Sequence, residues 1–550
     1  MLGKILIYLL LILSMPLQFP SPGWSKESPP AASLFEGMGD SHFPITTMNA
    51  RAQLYFDQGL VLAYAFNHAE AARSFREAAR LDPQCAMCFW GVALVLGPNL
   101  NAPMEGGDVK EAYHSIQVAM KLAKSATEKE KELVEALSKR YAPKAIKDRK
   151  PLDEAYAEAM RQVANKYPKD ATVLALTGEA LMDLHPWDFW TKEKEAKPWT
   201  AEILTLLESA LEIDPKHPLT NHLYIHAVEA GHPDRAELSA DRLRDRVPGA
   251  GHLQHMPAHI YINIGRYRDA AIANQKAIEA DQAYLRQVKA EGLYPLGYVP
   301  HNYHFLWEAA MMEGKSQVAM EAAEGTADSV DQTKMQDPGF GGTLQHFYTM
   351  PLYALARFGK WQTILREQAP PKELQYHTAI WHYARGLAFN AQGQPKEAAS
   401  ELAHLQKIVN DPEMARHAIF GINKFKNLLE IGIEVLEGEI SAKKKDYGTA
   451  IQHLEKAVEI EDGLTYNEPS DWYFPPRQAL GAVLLEAGQP ARAEQVYLED
   501  LKENRENGWS LYGLNQSLKD QGKKEAAHEA KKRFKKAWSG ADIKISSSRF

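Results

Sequence analysis

Cysteine is almost absent from this 550-residue chain, which has only Cys85 and Cys88. Phe89, not histidine, follows the CxxC, so c-type haem attachment is excluded. No thioredoxin-like βαβ pattern surrounds the pair, and no cysteine stands near the N-terminus to carry a lipid. A surplus of positive charge is lacking too. The net charge of −8 provides no electrostatic footprint for nucleic acid. Alternating apolar runs bounded by turns are missing, so strands are not expected. Neither HExxH, an EF-hand loop, a phosphate-binding glycine loop nor a GxSxG elbow occurs, which removes support for a nucleophile-type enzyme.

The one sizeable apolar run, Ile5 to Leu13 after Lys4, is too short to span a bilayer and is soon broken by Pro16. Gly23 and Ser25 supply small residues at the places a signal peptidase requires. Residues 1–25 are therefore expected to be a signal peptide, with the mature chain beginning near Lys26. An uncleaved N-terminal anchor is the other reading. No stable membrane insertion is expected after cleavage, and the product would be periplasmic or extracellular. In such an oxidising compartment Cys85 and Cys88 are expected to form a local disulfide. Residues 26–49, rich in Pro, Ala, Ser and Gly, are expected to be a flexible leader.

What is present in quantity is repetition. Gly59, Ala71, Phe75, Ala78 and Pro83 stand at the small, large and breaker positions of a 34-residue helix pair. The small residues let two helices touch, the aromatic fills the gap between them, and the proline ends the second helix. The same grid returns at Gly178, Ala210 and Pro215, at Ala236 and Pro248, and at Ala270 and Ala277. It continues at Gly386 with Ala398, at Ala450 with Ala457, and at Gly481 with Gly488, Ala493 and Tyr497. In these residues the chain resembles the tetratricopeptide repeat family. The resemblance implies an all-α solenoid over residues 50–537, a right-handed superhelix whose first (A) helices line a concave groove, followed by a tail at 538–550. It also implies a protein or peptide partner in that groove, since repeat grooves generally bind one.

The period is broken at 281–300, 327–344 and 461–476, and by the aromatic segment His185-Pro186-Trp187-Asp188-Phe189-Trp190. Insertions in repeat arrays fall on loops, often on the binding side.

Nine of the 20 histidines fall between His217 and His304. Each helical residue turns about 100°, so repeat positions 2, 5, 9 and 12 of an A helix share an arc of about 80°. His222, His226 and Glu229 occupy positions 5, 9 and 12 of one unit. His252, His255 and His259 occupy positions 2, 5 and 9 of the next, and His301, His304 and Glu308 the same positions of the third. Glu179 holds position 9 of the unit before them. Within 171–310 the array thus turns seven histidines toward one surface, whereas His217 and His232 sit at helix ends. Neighbouring helices lie about 8–10 Å apart, so these imidazoles can converge. Imidazole-rich sites suit copper or zinc, and iron less unless a glutamate also binds. The expected ligands are His222, His226, His252, His255, His259, His301 and His304, with Glu229, Glu308 or Glu179 as ligand or proton-transfer base. Two uses stay open: a transition-metal site, in an enzyme or a carrier, or a metal-free groove for a peptide. The segments CAMCFWG, LGPNLNAPM, HMPAHIY, HNYHFLW and NEPSDWYFPP are also similar to those of exported bacterial repeat proteins. That resemblance implies that fold and histidine face travel together.

Overall fold

A computed structural model describes residues 32–550. The expected signal peptide lies outside the described residues, as do the first residues of the leader.

Glycine and aromatic spacing dictates the architecture. Helices Ala50–Tyr64, His68–Leu81 and Ala86–Val95 pack in succession, with Phe75 between the first and third. A Cβ on Gly59 would come within 2.8 Å of the Phe75 ring, and one on Gly91 within 2.4 Å. Only glycine lets these backbones close on the aromatic. The same wedge recurs near the other end, where Tyr497 sits against Gly481 and Gly513. Asn49, Asp170, Asp446 and Asn507 cap helix starts by accepting from backbone N–H groups. The result is the expected all-α solenoid of stacked helix pairs. Among the described residues the named strands form one short antiparallel ribbon, Ala418–Ile419 with Asn423–Lys424, where Phe420 and Gly421 turn the chain through positive φ.

Three features differ from expectation. The leader is not free from residue 32 onward. Ala32 and Phe43 are buried, Tyr55 Oη donates to the Ala32 carbonyl at 3.0 Å, and Asp57 accepts from the Phe43 N–H at 3.1 Å. The tail is also docked: Asp542 caps the helix Ser316–Asp328 by accepting from the Ser316 and Gln317 N–H groups at 2.7 and 3.0 Å. Ser548 Oγ donates to the Gln478 carbonyl at 2.7 Å.

The third difference concerns the groove. The array closes on itself: helix Ala50–Tyr64 packs against helix Pro218–Val228. From the other end, Arg505 pairs with Asp234 at 2.7 Å and the Trp509 indole donates to the Met311 carbonyl at 2.9 Å. The face expected to line an open concave surface is therefore covered. His222 and His255 are 0 % exposed and His304 is 1 % exposed.

Candidate metal centre

Three A helices deliver the imidazoles. Pro218–Val228 carries His222 and His226, with Glu229 at its C-cap. The second is broken into Gly251–His255 and Pro257–Asn263, because Pro257 has no N–H for the helix ladder. It keeps His252, His255 and His259 on one side nonetheless. Val299–Met312 carries His301 and His304.

The donor atoms gather in three groups: His222 with His226 and His252, His255 with His259 and His301, and His226 with Glu229, His259 and Glu468. Within each group they lie within 4.8 Å of one another. Six of the seven expected histidines are thus brought together, with Glu229 among them.

One ring nitrogen of each of four histidines is committed to an oxygen. His222 Nδ1 donates to the Tyr64 carbonyl at 2.7 Å, and His255 Nδ1 to Asn274 Oδ1 at 2.7 Å. His226 Nδ1 and His259 Nδ1 donate to the two oxygens of Glu229, each at 2.7 Å, and Glu468 approaches His259 Nδ1 at 2.6 Å. Such partners set the tautomer and turn Nε2 inward as a bare lone pair, as carboxylate–histidine pairs do around metals. The inward nitrogens face one another. His222 Nε2 stands 3.2 Å from His252 Nε2, and His255 Nε2 stands 2.6 Å from His259 Nε2. Two nitrogens on one tetrahedral zinc, with bonds of about 2.0–2.1 Å, stand about 3.3 Å apart. His226 Nε2 is buried and has no hydrogen-bond partner among the described residues; the same holds for His252 Nδ1 and His301 Nδ1.

Burial and then the charge of neighbouring rings hold His222, His252, His255 and His301 well below the ordinary imidazole range. They are neutral, the form that binds metal. His226 is lowered to about 3, by burial first and His259 next. His259 is the exception. Burial would lower it, but Glu468 and Glu229 outweigh that and raise it to about 10. It carries the proton shared with His255 Nε2, in the position a cation would take.

Each trio has a phenylalanine packed against it. Phe66 lies over His222, His226 and His252, with centroids at 4.6, 6.1 and 5.5 Å. Phe305 lies against His255, His259 and His301 at 4.6, 4.6 and 4.8 Å. Phe66 has φ 54°, where the matching turns of other repeats use Gly265, Gly314 and Gly488. Trp187, edge-on to His226 at 5.0 Å, has φ 61°, and Phe420, 6.4 Å from His301, has φ 49°. Aromatic residues rarely accept this conformation, and such strain collects at functional sites.

Three expected members stand apart. His304 belongs to none of the donor groups; its Nε2 meets Tyr473 Oη at 2.5 Å, and that hydroxyl also meets His346 Nε2. Glu308, pushed up to about 8 by burial and then Glu468, is likewise outside them, with Oε2 unpartnered among the described residues. Glu179 is half-buried beside Asp183 and Arg140, and its carboxyl is raised by desolvation and then Asp183. Sequence reasoning missed Glu468 as a site residue, although the loop that carries it was marked by its break in period. It also missed Phe66, Phe305, Asn274 and His346, which no spacing rule singles out.

No family model and no curated protein matches the chain. Among solved structures it is similar to the human IFIT1 dimer with m7Gppp-AAAA at 14% identity and TM-score 0.31, covering 90% of this chain and 91% of that one. The APC/C hetero-tetramer Cut9-Hcn1 matches at 14% identity and TM-score 0.31, covering 88% and 76%. The TPR domain of P58(IPK) matches at 12% and 0.22, covering 86% and 99%. Scores this low carry no functional argument. On its own repeat geometry the chain is an all-α solenoid of stacked helix pairs, with a buried histidine layer where the middle repeats meet both ends.

Proposed function

We propose that this protein binds a transition metal, copper or zinc before iron, through the buried histidine layer. The observation that carries this is the orientation of the rings. His222, His226 and His255 each give one nitrogen to an oxygen; the other nitrogen of His222 and His255 faces a neighbouring imidazole, and that of His226 is buried and unpartnered among the described residues. A buried lone pair aimed at a second one is repulsive unless a proton or a cation stands between them. Metal ligation accounts for the neutral rings, the carboxylates behind them and the unpartnered His226 Nε2 together. Export belongs to the same proposal, and the bond joining Cys85 and Cys88 supports it. Native protein should then begin near Lys26 on N-terminal sequencing.

The test is metal content of tag-free protein, with and without His255→Ala. His255 touches both its own group and His252, with ring centroids 5.7 Å apart. Its loss should lower metal content, with affinity at its own group falling at least about 10-fold, since even changes behind a ligand cost 10–100-fold. Equal, negligible metal in both proteins would reject the proposal. A groove-bound peptide, which requires the covered layer to open, would then take its place.

A further inference from the structure

One carboxylate spans the two halves of the layer. Glu229 Oε1 accepts from His226 Nδ1 and Oε2 from His259 Nδ1, both at 2.7 Å. His226 belongs to the group with His222 and His252, and His259 to the group with His255 and His301. Each group has its own phenylalanine. The groups adjoin, with His226 and His259 ring centroids 5.4 Å apart.

Resting on the metal-binding proposal above, we infer that the layer holds two ions, one in each histidine trio, and that Glu229 links them by orienting one ligand of each. Six inward imidazoles exceed what one ion takes, because zinc and copper sites accept about four donors. A single ion between Glu229 and Glu468 would instead use His226 Nδ1 and His259 Nδ1. That arrangement takes both rings away from their carboxylate acceptors. It also leaves no ion at the His222–His252 pair, and only a proton between His255 and His259. Two trios use every one of these contacts.

Three imidazoles per ion leave one coordination position open, so each ion can take a small exogenous donor such as water or an inorganic anion. His301 is the partly exposed member of the six. Around the layer stand Trp187, Phe420 and Tyr466, which are 38 %, 38 % and 36 % exposed. The Tyr466 hydroxyl donates to Glu468 Oε2 at 2.9 Å, which ties this rim to the His259 side.

Glu229 provides the sharpest test. A carboxylate accepts from two Nδ1–H groups at once, whereas a carboxamide accepts through one atom and donates through the other. In Glu229→Gln one ring keeps its tautomer. The other meets an NH2 group: His226 would have to offer Nδ1 as acceptor, with its proton on Nε2 and off the metal, whereas His259 would keep its Nδ1–H only through Glu468, 2.6 Å away.

Metal-stripped, tag-free mature protein would be titrated with zinc alone against a chromophoric chelator. Wild type should take two equivalents. His252→Gln and His301→Gln should each take one, and the two together none. Glu229→Gln should keep one tight equivalent and hold the second about 10–100-fold more weakly. Thermal melts of each variant without zinc identify any that fails to fold; His222→Gln and His255→Gln then stand in for the same two trios. A single wild-type equivalent, lost in both single variants, would overturn the two-ion inference and leave the metal-binding proposal standing. No bound zinc or other ion in wild type would overturn both.

Discussion

His217 and His255 show how differently two buried histidines can behave. His217 is an N-cap: its Nδ1 accepts from the Thr220 N–H at 3.2 Å, and its Nε2 meets Thr172 Oγ1 at 3.0 Å. Both nitrogens are satisfied, one by its own helix and one by Thr172 of the preceding unit, so it has nothing left for an ion. His217→Ala should therefore keep full metal content while costing about 1 kcal/mol of stability, as cap losses do. Urea unfolding paired with metal analysis would check this, and a loss of metal with unchanged stability would contradict it. Their contrast was legible from repeat phase, since His217 precedes its helix and His255 lies on the A-helix face. Which nitrogen of each ring is free was not legible. That depends on the Tyr64 carbonyl and the Asn274 amide, which come from the first repeat and from the following helix.

Among the elements, the loop between helices Tyr447–Gly463 and Pro476–Glu486 does most to complete the centre. It supplies Tyr466, Glu468 and Tyr473, and a buried carboxyl holds its shape. Asp471 accepts from the Asn423 side chain at 2.8 Å and from Asn467 at 2.9 Å. Burial raises Asp471 to about 7, although both amides act to lower it. A folded-state value above the unfolded one means that the folded loop holds a proton the unfolded chain releases. Its contribution to stability is full below about pH 4 and is lost as pH rises through about 7. Melting temperature should accordingly fall between pH 5 and pH 8, and Asp471→Asn should flatten that slope. An unchanged slope would show that other carboxyls set the dependence. The break in the 34-residue period marked this loop as special, but it could not say that Glu468 meets His259. Repeat phase places residues around a helix axis and says nothing about a loop arriving from two hundred residues away.

Over the whole molecule, the tail secures the closure. Trp538 packs edge-on to Trp509 at 5.3 Å and lies where a side chain on Gly314 or Gly508 would go. Arg549 reaches Glu439 at 3.1 Å, and Asp542 caps the helix that follows His301 and His304. A chain ending at Ala537 should lose about 2–3 kcal/mol, somewhat less than a fully buried tryptophan is worth because this indole is partly exposed. Comparing denaturation midpoints of the full and shortened mature chains tests it, and equal midpoints would mean that the tail is dispensable.

The sequence by itself determined the helix pairs, because glycine and aromatic spacing is a local code: Gly59, Phe75 and Gly91 meet through neighbouring helices. It also determined that the histidines share one face, since 100° per residue needs no tertiary information. Only the tertiary structure decided that this face is buried. Whether a solenoid leaves its concave side open depends on small rotations summed over many repeats, and on which distant segments bury apolar surface there. Phe66 and the loop that carries Glu468 are such segments. They take the histidines out of solvent, leave most of them neutral, and turn their free nitrogens toward one another.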